Sequence, residues 1–576
     1  MMIAPDCEHN EKPENKNSGN IFITGDNLEA LRHLQNAYAN KIKMIYIDPP
    51  YNTGQEFTYS DKFEFDDEKL KSALGYSDDE IARLKSIQGK SSHSAWLTFM
   101  YPRLKIAQKL LSNDGVIFIS IDDNEQANLK LLMDDVFGEG NFIGEFIAIS
   151  APAGTQSSSD VAQQHSYCIS YKKKFDCVLS RIIPTVKTLN EKYNEEDEFG
   201  KYYVERLWKR GIGGRKEDVP SLHFPVYYDK KTKAIFVDNE TSDTEGLIKI
   251  IPYQAKGILG RWTWSKEKMK KEREKLIVKK IANEWKLHKK QYIDSEIGKL
   301  ANTIIDSKIA RTELGSLELK KIMNEKVFDY PKYSKFVQYF LQFGPSDNSI
   351  ILDFFAGSGT TAHAVMQLNA EDGGNRKFIL VQLDEPTNHG SEARKAGYNT
   401  IDEIARERIK RAAQKIKTEA GLNACNLDCG FKHFRLTNPD VKTIDKIIEF
   451  DPNNASLFDD DMITPFAHSA TKTSGLDTLL ATWLINDGFT FDVYAETINF
   501  AKYQAYYIKD AAMLYLINQG WDTEALKALL NQIGKNEICV NIIVVYPYSF
   551  SFEAMCELKT NIKTILDNSP TIIERY

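Results

Sequence analysis

Short apolar segments alternate with stretches of helical periodicity in two separate blocks of this chain. The first block contains Asn20–Thr24, Lys43–Ile47 and Val116–Ile121, and the second contains Ile350–Leu352 and Phe378–Leu383. Strands that alternate with helices are typical of a mainly parallel sheet covered by helices on both faces. We therefore predict an α/β fold of the Rossmann-like type, to which both blocks contribute.

The segment between the two blocks lacks this rhythm and contains short strands, many charged residues and polar helices. At 576 residues, the chain is also several times longer than a usual single-core domain. We predict an inserted α+β domain between the blocks and a C-terminal α/β domain after them. The predicted ranges are 20–171 and 326–422 for the two parts of the sheet domain, 172–325 for the insertion and 423–576 for the C-terminal domain.

The composition excludes several classes of protein. Apolar residues make up 42% of the chain and charged residues 27%, which is typical of globular proteins. No apolar run approaches the roughly 20 residues of a membrane span, and the polar residues 1–20 contain no signal-peptide segment. Seven cysteines form no disulfide framework, and the histidines and cysteines lack metal-ligand spacing. We expect a cytoplasmic protein without a bound metal.

An aspartate, two prolines and a tyrosine directly follow the second apolar segment. In open α/β sheets, ligands bind beyond the carboxyl ends of the strands, so Asp48, Pro49, Pro50 and Tyr51 mark a candidate site. The Asp48 carboxylate and the Pro49 carbonyl would accept the two N–H bonds of an exocyclic amine, and Tyr51 would stack on the ring that carries it. The alternative is that Asp-Pro-Pro only ends a strand.

A second motif, Asp353–Gly359, lies between a strand and a helix. Its glycines would let a ligand approach the backbone at the helix N-terminus. The motif lacks the third glycine of the dinucleotide fingerprint and the lysine of a phosphate-binding loop. An acidic residue, aromatic residues and two glycines suit an adenosyl ligand with a charged amino-acid end. The alternative is a purely structural turn.

Together, the two motifs resemble the amino-methylating DNA methyltransferases, and most closely the modification (Mod) subunits of type III restriction–modification systems. The order of the motifs is similar to the permuted β-type order, because Asp48 precedes Asp353 by 305 residues. The resemblance covers roughly residues 20–440. Other segments that carry it are Gly25–Leu31, Tyr101–Leu104, Ile121–Glu125, Arg261–Lys268, Val327–Lys332 and Gly430–Leu436.

This resemblance implies a site-specific adenine-N6 methyltransferase that uses S-adenosylmethionine and flips its target base out of double-stranded DNA. It also implies a homodimer and a restriction subunit with helicase and nuclease activity as a partner. The residues expected at the cofactor, from the resemblance and from their places at strand ends, are Asp26, Lys332, Asp353, Phe354, Phe355, Ala356, Gly357, Gly359, Thr360, Gln382 and Asp384.

Three of these cofactor residues carry open questions. Gln382 stands where many methyltransferases place a carboxylate for the ribose hydroxyls, although its amide oxygen still accepts a hydrogen bond, and Asp384 follows. Lys332 precedes a tyrosine where the wider family often has a proline, which leaves its role at the cofactor carboxylate open. Asp26 either contacts the cofactor adenine or caps the following helix.

A basic stretch within the predicted insertion is a candidate for DNA contact. The window 261–290 contains 12 lysines and arginines against four acidic residues, although the whole chain has a net charge of −7. Basic residues interleaved with tryptophans suit a DNA-contacting surface. The candidate residues are Arg261, Trp262, Trp264, Lys266 and Lys268. The alternative is a lysine-rich helix that only faces solvent.

Three other functions remain open from the residues. Cytosine-N4 methylation has the same amine chemistry, although an initial aspartate favours adenine because similar cytosine enzymes often begin the motif with serine. A non-catalytic DNA-recognition scaffold would be expected to carry degraded site motifs, whereas both motifs are whole here. Methylation of RNA or of a protein amide is the third, and the basic insertion favours DNA over it.

Overall fold

The computed structural model describes residues 1–53, 92–154, 160–182, 193–252, 258–292, 300–344, 346–439, 462–565 and 569–576. The chain forms two compact units. The first unit comprises residues 1–180 and 301–576, and the second comprises residues 181–300.

The described strands, in chain order, are β1 (Met2–Pro5), β2 (Ile21–Thr24), β3 (Ile42–Ile47), β4 (Leu111–Ile121), β5 (Phe142–Ala148), β6 (Ser166–Lys172), β7 (Glu195–Asp197), β8 (Gly200–Arg206), β9 (Val226–Tyr228), β10 (Ile235–Val237), β11 (Ile248–Ile250), β12 (Leu276–Ile281), β13 (Glu284–Tyr292), β14 (Ile304–Ile305), β15 (Ile350–Asp353), β16 (Lys377–Gln382), β17 (Lys432–Thr437), β18 (Glu496–Phe500), β19 (Tyr503–Ile508), β20 (Met513–Leu516), β21 (Ile542–Val545) and β22 (Thr571–Glu574).

The described α-helices are α1 (Cys7–Asn10), α2 (Pro13–Lys16), α3 (Asn27–Tyr38), α4 (Ser92–Leu110), α5 (Gln126–Phe137), α6 (Lys266–Lys271), α7 (Ser307–Ala310), α8 (Thr312–Met323), α9 (Ser334–Leu341), α10 (Thr360–Asp372), α11 (Glu392–Lys395), α12 (Ile401–Ala420), α13 (Gly475–Asn486), α14 (Thr523–Gly534) and α15 (Phe552–Ile565). None of these helices is both long enough and apolar enough to span a membrane.

Both sequence blocks contribute strands to one sheet, as predicted. The strand order in the described part of the first unit is β1-β17-β2-β16-β15-β3-β4-β6-β5-β14. The six strands from β17 to β4 run parallel to their neighbours. Strands β15 and β16 of the second block therefore lie between β2 and β3 of the first. Since parallel strands end at the same edge, both candidate motifs are brought to one edge of the sheet.

Helices cover both faces of this sheet because its strands are apolar on both sides. Ile45 and Ile47 of β3 belong to one buried cluster with residues of α3, α4 and α5. The side chain between them, Tyr46, points to the opposite face, where its ring stacks on Phe340 of α9 at 6.1 Å. The α/β prediction is confirmed, with the two faces of the sheet buried as a parallel arrangement requires.

The borders of the sheet extend beyond the predicted domain ranges. The N-terminal strand β1 pairs with β17, and β17 pairs with β2, so residues from 2–5 and 432–437 complete one edge. At the other edge, β14 pairs with β5. The compact second unit accordingly spans 181–300, against the predicted insertion 172–325. These added strands have two to six residues, too few to show a period in the sequence.

The described part of the second unit contains two small antiparallel sheets, in the orders β12-β13-β8-β7 and β10-β9-β11. Its core includes Leu207, Trp262, Met269 and Leu287. The lysine-rich window forms the short helix α6 and the hairpin β12–β13 in place of the long helix considered from the sequence.

A separate five-stranded sheet, β18-β19-β20-β21-β22, forms the end of the first unit. Helix α13 precedes this sheet and contacts β1, where the Ile3 amide donates to the Thr482 hydroxyl at 2.9 Å. The C-terminal residues are thus attached to the edge of the main sheet.

A substitution at Gly430 tests whether the N-terminal residues pack as part of the sheet domain. A Cβ atom at this position would lie 1.9 Å from the Glu14 carbonyl oxygen. We expect Gly430→Ala to separate these segments and to destabilise the first unit by about 2 kcal/mol, the usual cost of overpacking. Thermal denaturation should show a melting temperature lowered by several degrees.

Gly534→Ala is the matched control, since a Cβ atom there meets no atom within 4 Å. Alanine in a helix should leave the melting temperature unchanged or slightly raised. Equal melting temperatures for Gly430→Ala and the wild type would contradict the attachment of the N-terminal segment.

Candidate active site

The amine motif follows β3 and is held by two hydrogen bonds of known direction and one ion pair. The Tyr51 hydroxyl donates to Asp48 Oδ1 at 2.6 Å, and the Lys332 ammonium lies 3.0 Å from the same oxygen. The Trp96 indole donates to the Pro50 carbonyl at 2.7 Å. Within the described part of the chain, neither Asp48 Oδ2 nor the Pro49 carbonyl accepts a hydrogen bond. These two oxygens are therefore available as acceptors.

A buried carboxylate supports the end of this motif. Glu125 accepts hydrogen bonds from Asn52 at 2.5 Å, His93 at 2.7 Å and Asn128 at 2.8 Å. Asn52 has a positive φ of 57°, a backbone conformation that asparagine tolerates better than most residues. The bond from Asn52 to Glu125 thus fixes the turn that follows Tyr51, and Glu125 is the last residue of the Ile121–Glu125 segment named from the sequence.

The acidic residue that opens the second motif points into the protein. Asp353 accepts from the Phe355 amide at 3.0 Å and from the Thr361 hydroxyl at 2.5 Å. Burial raises the pKa of Asp353 to about 7, because a desolvated carboxylate is less stable than its neutral form. The carboxyl group therefore shapes the loop from inside, while the Phe354 carbonyl accepts from Asn27 at 2.9 Å.

The glycine loop is tied to both the neighbouring strand and a buried arginine. Gly357 has φ +53°, and its amide donates to Gln382 Oε1 at 2.7 Å. Arg408 of α12 donates to the Ser358 hydroxyl at 2.8 Å and to the Thr360 hydroxyl at 2.6 Å. The loop and the first turn of α10 are therefore held in one conformation.

The two motifs open onto a single cavity of about 570 Å³. Asp48 and Pro49 line one part of it, and Phe355, Gly357 and Gln382 line another. The described lining residues are Asp48, Pro49, Pro50, Lys326, Val327, Phe328, Asp329, Phe355, Gly357, Gln382, Glu385, Pro386, Thr387, Asn388, Ser391, Glu392, Ala393 and Ile401. The volume lies within the roughly 300–1,000 Å³ usual for small-molecule sites.

The charges of this lining suit a cationic ligand. The described lining contains four acidic residues, Asp48, Asp329, Glu385 and Glu392, and one lysine, Lys326. Asp329 pairs with Lys326, Asp48 with Lys332 and Glu392 with Lys395, and Glu385 forms no ion pair with any described residue. S-adenosylmethionine carries a sulfonium and an ammonium against one carboxylate, so the acidic lining is complementary to it. Glu385 and Asp329 are additions to the predicted site: Asp329 lies within Val327–Lys332, and Glu385 follows Phe378–Leu383 by two residues.

Several candidate cofactor residues lie next to the cavity without lining it. Asp26 accepts from the Leu28 and Glu29 amides and so caps α3, and it lies 3.5 Å from Arg103, while its predicted contact with the cofactor stays a prediction. Asp384 pairs with Arg435 at 2.9 Å. Lys332 approaches the amine motif, as described above. Asp353, Phe354, Ala356, Gly359 and Thr360 form the buried frame of the loop.

In the second unit, the predicted DNA contacts divide into buried and exposed residues. Trp262 is 1% exposed and donates to the Phe224 carbonyl at 2.9 Å, so its place is in the core and not on a DNA-contacting surface. Lys268 lies 4.8 Å from the centre of the half-buried Trp264 ring, and Lys266 pairs with Asp238 at 2.6 Å. Arg261 donates to the Gly213 carbonyl at 2.6 Å.

Most cations of the basic window are paired within their own unit. Nine of the 12 basic residues of 261–290 form ion pairs with acidic residues of the same unit. The window alone therefore overstates the free positive charge. The whole second unit still has 27 lysines and arginines against 19 acidic residues, a net charge of +8.

Comparison with known proteins defines the class of this fold and site. The sequence pattern of the DNA methylase family matches residues 42–413, which include both motifs. The pattern described as the type III restriction–modification EcoP15I C-terminal domain matches residues 474–571.

Three curated relatives are similar along the whole chain. The StyLTI Mod subunit of Salmonella typhimurium is 40% identical over 100% of this chain and 86% of its own length. The EcoPI Mod subunit of Escherichia phage P1 and the EcoP15I Mod subunit of Escherichia coli are each 36% identical over 98% of this chain and 86% of their own lengths. The chain therefore belongs to the Mod subunits of type III restriction–modification enzymes, within the DNA methylase family.

Burial of Asp353 predicts a pH-dependent effect of its replacement. The pKa of Asp353 in the folded protein, about 7, lies above its ordinary value of 3.8. The wild-type protein is therefore stabilised at low pH by protonated Asp353, and it loses this part of its free energy of unfolding as the pH rises to about 7. Asparagine carries no charge at any pH. We expect the melting temperature of Asp353→Asn, relative to wild type and without cofactor, to rise by several degrees between about pH 5 and pH 8. A difference independent of pH would contradict the desolvated carboxylate.

Proposed function

We propose that this protein is the modification subunit of a type III restriction–modification system and methylates adenine N6 at specific sites in double-stranded DNA. The observation that carries the proposal is the shared cavity, since two amine acceptors and the glycine loop face the same space. Membership in the Mod subunits supports the assignment of the substrate and of S-adenosylmethionine as the cofactor.

Two oxygens of the amine motif would bind the target base. Asp48 Oδ2 and the Pro49 carbonyl would each accept one N–H bond of the exocyclic amine. The amine lone pair is delocalised into the purine ring, and two hydrogen bonds of this kind draw the nitrogen towards tetrahedral geometry, in which it is a better nucleophile. S-adenosylmethionine, when bound, supplies an electrophilic methyl group on a sulfonium.

No strong base is needed at this site. The amine proton becomes acidic as the new N–C bond forms and the bond between the methyl carbon and the sulfonium sulfur breaks, leaving a neutral thioether. The acceptor at Asp48 Oδ2 would hold that proton until it passes to water. Fixed acceptors contribute by placing the nitrogen in line with the transferred group, which accounts for much of the rate in displacements of this type. The residues that would hold the cofactor are Phe355, Gly357, Gln382, Glu385 and Asp329, supported by Asp353 inside the loop.

The target nitrogen lies within the duplex, so the base would have to flip out at a cost of a few kcal/mol. Stacking on Tyr51 would recover part of this cost. Burial and the neighbouring Asp48 raise the pKa of Tyr51, so its hydroxyl remains a hydrogen-bond donor.

The second unit would provide sequence recognition, with Arg261, Trp264, Lys266 and Lys268 as candidate contacts. Its net charge of +8 within a chain of −7 supports this role. A cavity of about 620 Å³ in the same unit is lined by Trp208, Trp285, Arg210 and Lys249, among others, and presents aromatic and cationic groups together.

Four further features belong to the same proposal. We propose that the predicted ranges 20–171 and 326–422, together with the added strands β1, β14 and β17, form the catalytic domain, that the second unit within the predicted range 172–325 reads DNA, and that the remaining residues of 423–576 contact other subunits. We also propose a homodimer, a restriction subunit as partner, and a cytoplasmic location, since the substrate is DNA. The match of residues 474–571 to a type III C-terminal domain supports the contact role.

Asp48→Ala tests the catalytic assignment. We expect purified wild type with S-adenosylmethionine to form N6-methyladenine in DNA, identified by mass spectrometry of nucleosides. Asp48→Ala should reduce methyl transfer to background, because one acceptor for the amine is lost. The dissociation constant for S-adenosylmethionine, measured by calorimetry, should stay within about threefold of the wild-type value, which is less than the tenfold change that about 1.4 kcal/mol would cause.

Asp176→Ala is the control, because Asp176 is an exposed aspartate of the same unit. Near-normal transfer by Asp48→Ala would refute the catalytic role of the motif. Formation of N4-methylcytosine would refute the adenine assignment, and no methylated nucleoside at all would refute the proposed function.

Tyr51→Ala tests stacking on the flipped base. We expect a weaker fluorescence signal from 2-aminopurine placed at the methylated position, since stacking on an aromatic ring contributes about 1–3 kcal/mol per base. Tyr51→Phe keeps the ring and should retain the signal. An unchanged signal in Tyr51→Ala would contradict the stacking role.

A further inference from the structure

The Lys332 ammonium occupies a position that neither motif explains. It donates to the Tyr51 hydroxyl oxygen at 2.7 Å and lies 3.0 Å from Asp48 Oδ1. The Lys332 and Asp48 side chains are 24% and 28% exposed, so this ion pair is largely withdrawn from water. Lys332 is not among the described residues that line the cavity.

The hydrogen bonds of Asp48 are distributed unequally between its two oxygens. Oδ1 receives both the Tyr51 hydroxyl, at 2.6 Å, and the Lys332 ammonium. Oδ2 receives no hydrogen bond from any residue in the described part of the chain. A carboxylate with one hydrogen bond and one ion pair on the same oxygen cannot rotate about its terminal bond without losing both contacts.

We propose that Lys332 is a positioning residue of the amine site, which holds Asp48 Oδ1 together with Tyr51 so that Oδ2 faces the amine of the target base. The inference rests on the proposed function and extends it, since it gives Lys332 a role in presenting the acceptor. The resemblance had placed Lys332 at the cofactor carboxylate. In the structure its ammonium is bound to the amine motif instead.

The backbone of Lys332 connects this arrangement to the glycine loop. Its carbonyl accepts from the Thr360 hydroxyl at 3.2 Å, and the same hydroxyl accepts from Arg408 at 2.6 Å. Thr360 is the first residue of α10, directly after the loop. Lys332 therefore contacts the amine motif with its side chain and the cofactor motif with its main chain. A displacement of the glycine loop would thus shift Lys332 and, with it, the contact between Lys332 and Asp48.

Lys332→Met distinguishes a role in positioning Asp48 from a role in binding the cofactor. The substitution keeps the length and the apolar stem of the side chain and removes the charge. If Lys332 orients Asp48, loss of one charge-assisted hydrogen bond of about 2 kcal/mol should lower kcat roughly 30-fold. The dissociation constant for S-adenosylmethionine, measured by calorimetry, should stay within about threefold. Lys332→Arg retains a cationic donor and should restore part of kcat.

Lys335→Met is the matched control, since Lys335 is exposed on α9, three residues away. Its kcat and cofactor affinity should equal those of the wild type. A tenfold weaker cofactor affinity with unchanged kcat in Lys332→Met would overturn the inference and restore the cofactor role. Unchanged values of both constants would also overturn it.

A double-mutant cycle with Tyr51→Phe, run on variants whose melting temperatures show that they are folded, tests the shared oxygen. Both side chains act on Asp48 Oδ1, so the two losses in kcat should not multiply in the double variant. A loss of kcat in the double variant equal to the product of the two single losses would contradict a common action on Asp48 Oδ1. Wild-type turnover in the same assay tests the proposed function separately, because an inactive wild type contradicts methylation itself, whereas active wild type and active Lys332→Met contradict only the role of Lys332.

Discussion

The pairing of β3 with β15 is the contact on which the rest of this protein depends. These parallel strands align Ile42 with Ile350, Met44 with Ile351 and Ile45 with Leu352. Each strand is buried on both faces, so the register is set by packing above and below the sheet. Because both strands end at the same edge, Asp48 and Asp353 emerge side by side although 305 residues separate them in sequence. The intervening residues can vary in length and order without changing this contact.

The groups behind the cavity hold its walls in place. Glu125 fixes the turn after the amine motif, Arg408 fixes the turn after the glycine loop, and Asp353 fills the space inside that loop. A site for an in-line displacement requires such supports, because an error of about 1 Å in the approach of the reacting atoms is costly. The few free acceptors that remain, at Asp48 and Pro49, then have a defined direction.

The central sheet was predictable from sequence, because short apolar strands alternate with amphipathic helices and end in short polar motifs. The meeting of the two motifs followed from the rule that ligands bind at the carboxyl ends of parallel strands. The edges of the sheet were not predictable, since β1, β14 and β17 are short and obtain their register from distant partners such as the Asn10 side chain, which bonds to the His433 backbone at 2.7 Å.

Individual side chains were predicted less well than the motifs that contain them. Asp384 and Glu385 are adjacent acidic residues, yet Arg435 binds Asp384 and leaves Glu385 at the cavity. Arg435 lies on a strand, β17, and follows Asp384 by 51 residues. Trp262 was a candidate DNA contact by composition, but a large ring beside Leu207 and Leu287 is more stable in the core. The lysines around it are mostly paired with acidic residues that are distant in sequence, such as Lys290 with Asp197.

The most direct measurement is a crystal structure of the protein with S-adenosylmethionine and a DNA duplex that contains its methylation site. The account predicts an adenine outside the helix, with its amine bonded to Asp48 and Pro49 and its nitrogen within about 3.5 Å of the cofactor methyl carbon. A cofactor bound in a different cavity from the base would contradict it.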